Sequence, residues 1–259
     1  MFIQGSTRYT LMRYGELLRV LLVREAAART SGTTLGAIWM LVQPALQVAA
    51  FWFLLQVVLR VRYPDLPGGF TQYFLIGMLP WLMLNEILIR SLSVLQEYSS
   101  IYERTTLPIG LIPLLPPIVS GAIYTLIYFV VAALLSGIQG ALGALGFMVF
   151  LIFWLAPLVY LMAILGLFIR DLAQIAPFAL TMMLYLTPIF YTPTALPDYL
   201  HWWLNVNPFA QLMIVAHACA DGSSLPLASF LSLILLWFVL AVPAWFLFKR
   251  AAPYVREAL

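Results

Sequence analysis

Charge is what this chain lacks most. Only 9% of its 259 residues are Asp, Glu, Lys or Arg, where a soluble domain carries about a quarter. With 64% hydrophobic residues and a mean hydropathy of +0.99, the composition excludes an ordinary soluble domain and fits an all-α polytopic membrane protein. Cysteine is nearly missing as well: Cys219 stands alone, so no intramolecular disulfide is possible. Lysine occurs once, as Lys249 after Phe248. No G-K-[ST] phosphate loop exists, so the chain cannot hold ATP through one. Any ATP and Mg used to power it must be bound by another polypeptide. The two histidines, His201 and His217, have no partners at ligand spacing, and neither H-E-x-x-H nor G-x-S-x-G occurs. Asp65, Asp198 and Asp221 are not joined by any catalytic spacing. The expectation is a chain that is not itself an enzyme, with no catalytic residues, no metal, no cofactor of its own and no nucleic-acid partner.

What is present is a series of uncharged runs, each to be measured against the roughly 20 apolar residues of a membrane span. Arg8, Arg13, Glu16, Arg19, Arg24 and Glu25 interrupt any signal-peptide core, so residues 1–34 read as a cytoplasmic or interfacial segment before the first span. Spans are expected at 35–59, 70–88, 115–135, 146–169, 173–191 and 227–248. The third and fourth are separated by the glycine-rich "SGIQGALGALG" of 136–146. The whole chain, 1–259, reads as one transmembrane domain.

Residues 192–220 are ambiguous by hydropathy, and charge decides their reading. With six spans, Arg8, Arg13, Arg19, Arg24, Arg29, Arg90, Arg104, Arg170, Lys249, Arg250 and Arg256 share one side, and only Arg60 and Arg62 lie opposite. By the positive-inside rule both termini are cytoplasmic. A seventh span would carry the basic C-terminus outside and place His201, Asn205, Asn207, Gln211 and His217 in hydrocarbon. The segment is therefore expected to enter from the outer face and return, which irregular backbone can do only against protein or a water-filled cavity. Asn207-Pro208 has the form of a helix start for the returning arm.

Two cytoplasmic pieces stand out. In "YTLMRYGELLRVLLVREAAART", Tyr14, Leu18, Leu21 and Leu22 share one helical face while Arg13, Glu16 and Arg19 take another, the pattern of an interfacial helix. The loop around Tyr98, Tyr102, Glu103 and Arg104 suits a protein contact. Glu86 and Arg90, four apart, are placed to pair on one face. Every Asp, Glu, Lys and Arg lies near a span end or in a loop, which argues against proton or sodium coupling within the membrane.

The order of motifs resembles the polysaccharide-export permeases, a branch of the type-2 ABC exporters. The resemblance rests on "LVREAAARTSGTTLGAIWMLVQPAL" (22–46), "FLIGMLPWLMLNEIL" (74–88), "LFIRDLAQIAPFALTMMLYLTPIFY" (167–191) and "LNVNPFAQLM" (204–213). It implies a homodimeric permease in a bacterial inner membrane, joined by two copies of an ABC ATPase subunit. The cargo implied is a lipid-linked polysaccharide such as O antigen, capsule or teichoic acid. The resemblance also implies two short re-entrant helices between spans five and six.

Within that frame, candidate roles can be assigned. Sugars present CH faces and hydroxyls, for which aromatic faces make a suitable track. Trp39, Trp52, Tyr185, Phe190 and Tyr191 are the channel candidates. His201, Trp202, Trp203, Asn207 and Pro208 are the outer-gate candidates. Tyr98, Tyr102, Glu103 and Arg104 are the ATPase-coupling candidates, and Arg170-Asp171 forms a structural turn. Two other classes are an exporter of a small hydrophobic drug or lipid, and a membrane-embedded glycan transferase. The second would need a convergent acid/base site that the sequence does not contain.

Overall fold

A computed structural model describes residues 3–29, 32, 34–63, 66, 68–99 and 108–254, with side chains from residue 15 onward. Among these residues the structure is all-helical, without strands. The elements are α1 (Ile3–Ala28), α2 (Trp39–Trp52), α3 (Gly69–Glu97), α4 (Leu115–Phe168), α5 (Leu172–Leu186), α6 (His201–Val206), α7 (Pro208–Asp221) and α8 (Leu227–Ala251). A 3-10 turn at Gly36–Ile38 and a π-helical turn at Phe53–Val58 extend α2 at its two ends.

Among the described residues, four helical segments are long and apolar enough to cross a membrane: Gly36–Val58, Gly69–Glu97, Ile109–Phe168 and Leu227–Ala251. The third is far longer than one crossing. It folds at Gly137, where φ is 71° and ψ is −174°. Only glycine adopts such backbone without a steric penalty. The two arms then run back along each other, as the packing of Gly121 against Ile152 requires. The break the sequence placed across 136–146 is thus a single residue. α3 runs nine residues beyond the expected end at Leu88, because its last charges are paired, Arg90 with Glu25 of α1 and with Glu97 of α3 itself, rather than left to hydrocarbon. α5 is apolar but has only 15 residues. At 1.5 Å per residue it is about 22 Å long, short of the roughly 30 Å hydrocarbon core.

α3 is the centre of the packing. Its most apolar window is 72% buried, against 6% for Gly36–Val58 and 11% for α8. Its broadest contact is with α4. Trp81, Phe74, Met83 and Leu84 of α3 meet Phe147, Leu151, Trp154 and Leu155 of α4 in the main core. Exposed Leu231, Leu235, Phe238, Val242 and Trp245 line α8 at helical spacing, the pattern of a face turned to lipid.

Close helix contacts are made by glycine, as in other membrane bundles. A Cβ on Gly143 would sit 2.0 Å from the Cys219 carbonyl oxygen, and one on Gly166 would sit 2.1 Å from that of Leu92. These set α7 against α4 and α4 against α3. α1 completes the fold at the basic end of the bundle. Its Leu21 is buried in a second core with Val94, Leu95, Tyr98, Ile112, Leu115 and Leu167. The apolar face expected over Leu18, Leu21 and Leu22 therefore packs on protein.

Gly166→Ala should destabilise the fold by about 1–3 kcal/mol, the usual cost of forcing extra atoms into a packed contact. Gly146→Ala, with nothing within 4 Å of the added atom, should be neutral. Thermal unfolding of both variants in detergent checks the contrast.

Candidate functional site

Two regions gather the polar and aromatic residues, one at each end of the bundle. At the basic end a buried ion cluster ties α1 to α3. Glu25 is 0% exposed. It accepts from Arg90 Nε at 2.9 Å, from Arg90 Nη2 at 3.3 Å and from the Tyr98 hydroxyl at 2.9 Å. Arg29 donates to Glu25 at 3.4 Å and also to Glu86, which accepts from Ser120 Oγ at 2.9 Å as well. Arg90 closes the cluster on Glu97 with two 2.5 Å contacts. The expected Glu86–Arg90 pair is thus replaced. Both residues are on α3 as predicted, but Arg90 pairs with the enclosed Glu25 of α1 and Glu86 with Arg29, just past the end of α1.

Burial pushes the Glu25 carboxyl up. The Arg90 hydrogen bond and charge, the Tyr98 hydrogen bond and the Arg29 charge outweigh it and hold Glu25 below its ordinary value of 4.5. Burial and the adjoining Glu25 charge push Tyr98 well above the usual phenol range, so it stays a hydroxyl donor. Arg24 lies 5.1 Å from the Tyr98 ring centre, a cation–π contact. Tyr98 is the described member of the expected coupling group; Tyr102, Glu103 and Arg104 lie outside the described residues. Nearby, Arg170 and Asp171 are exposed in the turn between α4 and α5. The Asp171 carbonyl accepts from the Gln174 and Ile175 amides at 3.0 Å each, starting α5 as a structural turn.

Beside the cluster lies a cavity of about 420 Å³ between α2, α3 and α4. Trp39, the first residue of α2, lines it together with Gln43, Gln47, Asn85, Glu86, Arg90 and Tyr124. Pro44 is also in its wall and removes the backbone donor that would close the α2 ladder there. Sequence reasoning missed this polar wall. Its signal was Gln43 and Gln47, four apart in an uncharged run.

The other candidates gather at the far end, around the broken chain that follows α5. Phe190 lies 5.2 Å from Phe51, 6.1 Å from Phe74 and 6.0 Å from Tyr185, ring centre to ring centre. Tyr185 itself is 51% exposed. Trp52 stands apart on α2, donating to Thr71 Oγ1 at 3.0 Å. Tyr191 is half-buried, and its carbonyl accepts from Tyr73. The structure thus brings Tyr185, Phe190 and Tyr191 together and leaves Trp39 near the opposite end.

Between α5 and α6 the backbone is irregular, and side chains satisfy its carbonyls. The Leu186 carbonyl accepts from Trp203 Nε1 at 2.9 Å and from Asn207 Nδ2 at 3.4 Å. The Tyr73 hydroxyl is 3.0 Å from both the Pro188 and Tyr191 carbonyls and shares its hydrogen between them. The Tyr63 hydroxyl donates to the Phe190 carbonyl at 2.7 Å. Asn207 is buried and caps α7, accepting from the Phe209 amide at 3.0 Å, with Pro208 as the first helical residue. This is the helix start expected from Asn207-Pro208. Trp202 is exposed and packs edge-on against Trp203. A ring nitrogen of His201 is 3.0 Å from the Leu196 carbonyl. Trp203 and Asn207, expected in a gate, hold the broken backbone.

α7 rises from mid-bundle to the far end. Its first turn meets Trp81 through Phe209, with ring centres 5.6 Å apart. Its last residue, Asp221, accepts from Gln72 at 3.1 Å. The ring nitrogens of His217, on the same helix, are 2.7 Å from the Met213 carbonyl and 3.0 Å from that of Tyr73. The ring stacks on Tyr73, with centres 4.0 Å apart.

A profile of the family described as ABC-2 type transporter matches residues 16–219. The chain belongs to that family. It is 25% identical over 213 residues to an O-antigen export system permease protein, RfbA, of Klebsiella pneumoniae, covering 80% of this chain and 81% of that protein. A second protein of that name and organism is 23% identical over the same length. One from Myxococcus xanthus is 26% identical over 240 residues, covering 88% of this chain and 91% of its own.

Glu25→Ala should cost on the order of 3 kcal/mol, because it leaves two arginines without their buried partner. Glu16→Ala, at an exposed position, should cost far less. Since the Glu25 carboxyl is held below 4.5, its contribution is full above that pH and fades as pH falls through the lowered value. Melting curves taken from neutral pH down to about pH 3 should show the wild-type advantage over Glu25→Gln shrinking only at the acid end.

Proposed function

We propose that this chain is the membrane permease subunit of an ATP-driven exporter that carries a lipid-linked polysaccharide, of the O-antigen or capsular type, across the bacterial cytoplasmic membrane. The observation that carries the reading is the ABC-2 membership together with relatives named as O-antigen export permeases that span most of the chain. The missing phosphate loop agrees with it, since ATP and Mg must then be bound by a separate ATPase subunit.

In this reading the chain crosses six times: Gly36–Val58, α3, the two arms of α4, α5 and α8. Both basic termini face the cytoplasm. α1 lies along the inner leaflet. The segment 192–220 dips in from the outside, a path supported by α7 starting at the level of Trp81 and ending beside Gln72. Twelve residues of α3 separate Gly69 from Trp81, which puts the tip about 18 Å deep.

Two copies of the chain pair, and two ATPase subunits dock beneath them. The sparsely buried α2 and the exposed Ile175, Phe178, Met182 and Tyr185 stripe of α5 are the surfaces that face the second copy. The polymer passes between them along Tyr185, Phe190, Tyr191, Trp39 and Trp52. The ATPase meets the loop from Tyr98 to Arg104. Through Tyr98 and Glu25, its movement reaches α1 and α3 together. Trp202 and the Trp203–Asn207 turn close the outer end.

Alanine at Tyr185 and Trp39 together should lower polymer at the cell surface at least severalfold while membrane abundance stays unchanged. Surface polysaccharide at the wild-type level would overturn the track. A disulfide or chemical crosslink joining Trp202 positions of two copies should stop export. Continued export would make the segment an anchor rather than a gate.

A further inference from the structure

We propose that the basic end of α8 is a binding site for the headgroup of an anionic phospholipid, held as a lipid of the surrounding bilayer and not as cargo. The inference needs only the membrane setting of the chain and is independent of the export reading. Along α8 the exposed stripe Leu231, Leu235, Phe238, Val242 and Trp245 continues at the same helical spacing to Lys249. Leu231 and Lys249 are eighteen residues apart, about 27 Å of helix, against a hydrocarbon core of roughly 30 Å. The stripe is thus about as long as the core, and Lys249 stands at headgroup level. A lipid whose chains lie against Phe238, Val242 and Trp245 presents its phosphate there.

The charges at this end are unevenly answered. Glu25, Glu86 and Glu97 are taken by Arg29 and Arg90. Lys249 and Arg250 are exposed, and among the described residues neither is paired with a carboxylate. The Lys249 Nζ instead lies 6.0 Å from the centre of the Trp245 ring, which is 70% exposed. The negative pole of the helix favours both cations without neutralising them. A phosphate neutralises them, meeting lysine as a point charge and arginine through paired N–H groups. The indole sits where tryptophan is favoured, at the boundary between chains and headgroups. Phosphatidylcholine carries its own cation beside its phosphate. A headgroup of net negative charge does not, so two unpaired cations select the anionic lipid.

The site is fixed in position by the residue between its parts. Phe248 packs edge-on against Tyr160 of α4, with ring centres 4.9 Å apart. The Tyr160 hydroxyl donates to the Gly110 carbonyl at 2.7 Å, in the 3-10 turn Ile109–Leu114 that leads into α4. The last turn of α8 is therefore seated on protein through Phe248, while Trp245, Lys249 and Arg250 stay exposed.

The test uses the intact transporter in phosphatidylcholine vesicles containing a minor share of phosphatidylglycerol with a diazirine beside its headgroup, and labelled peptides are mapped after irradiation. Labelling is expected on the peptides bearing Trp245 to Arg250. It should fall about fivefold in Lys249→Gln and about fivefold again in the double variant Lys249→Gln/Arg250→Gln, the size set by one cation near a charged membrane surface. Both positions are exposed, so the melting temperature, measured alongside, should stay at the wild-type value. The same diazirine carried on phosphatidylcholine should label this end weakly and equally in wild type and variants. Equal labelling by the two lipids, or labelling by phosphatidylglycerol unchanged in the double variant, would overturn the site. Labelling displaced by inorganic phosphate at constant ionic strength would overturn its lipid-borne form. Loss of the ATPase subunit from the purified double variant, with labelling unchanged, would assign the two cations to protein docking and overturn the proposal as well.

Discussion

A helix that stops in apolar surroundings leaves its last carbonyls without partners unless side chains supply them. That constraint governs the far end of this molecule. α5 ends at Leu186, and Pro188 follows at once, so the chain cannot continue as a helix. Donors are then recruited from three directions: Tyr73 from α3, Tyr63 from the segment before it, and Trp203 and Asn207 from the chain that returns. Each makes its bond through the tip of a large or buried side chain. The position of the returning segment is therefore set by hydrogen bonds to backbone that only a broken helix exposes. α7 is held in place by the same logic, with its own first amides capped by Asn207 and its His217 ring closed between two carbonyls.

The basic end is built on a different balance. Glu25 is fully enclosed, and an enclosed carboxylate is tolerated only when its charge and lone pairs are answered. Arg90, Arg29 and Tyr98 answer them. A pair of this kind adds little net stability over an apolar contact, but it is demanding in geometry. α1 and α3 can shift together at little cost, while shifting one past the other breaks the cluster. The loop that begins at Tyr98 thus starts from a residue bonded to both helices.

Much of this was legible in the sequence and some was not. Uncharged runs placed the long helices, because length and hydropathy are set locally by the membrane. Asn207-Pro208 announced a helix start by residue type alone. The α4 break was visible only as a glycine-rich stretch, since nothing local says which glycine takes the positive φ that Gly137 adopts. Glu86 and Arg90 look like a self-contained i,i+4 pair, and only the arrival of α1 in space reassigns both. Tyr63 and Tyr73 gave no sign of their role, because a tyrosine that serves a carbonyl more than a hundred residues away carries no local pattern. The aromatic residues of 185–203 were read as rings, yet Trp203 acts here equally through its N–H.

The two ends together suggest why the chain can dispense with charges in its middle. A coupled carrier needs ionisable groups at mid-membrane, where each is expensive. Here the charged cluster lies at the base of α3 and the carbonyl-satisfying residues lie toward its far end, with the most enclosed helix of the bundle between them. Gly166 of α4 seats against Leu92 too closely for α3 to slide past α4 on its own. The same rod carries Tyr73, whose hydroxyl holds the Pro188 and Tyr191 carbonyls. One continuous helix thus joins the charged cluster to the residues that hold the broken segment, with no Asp, Glu, Lys or Arg between Gly69 and Asn85.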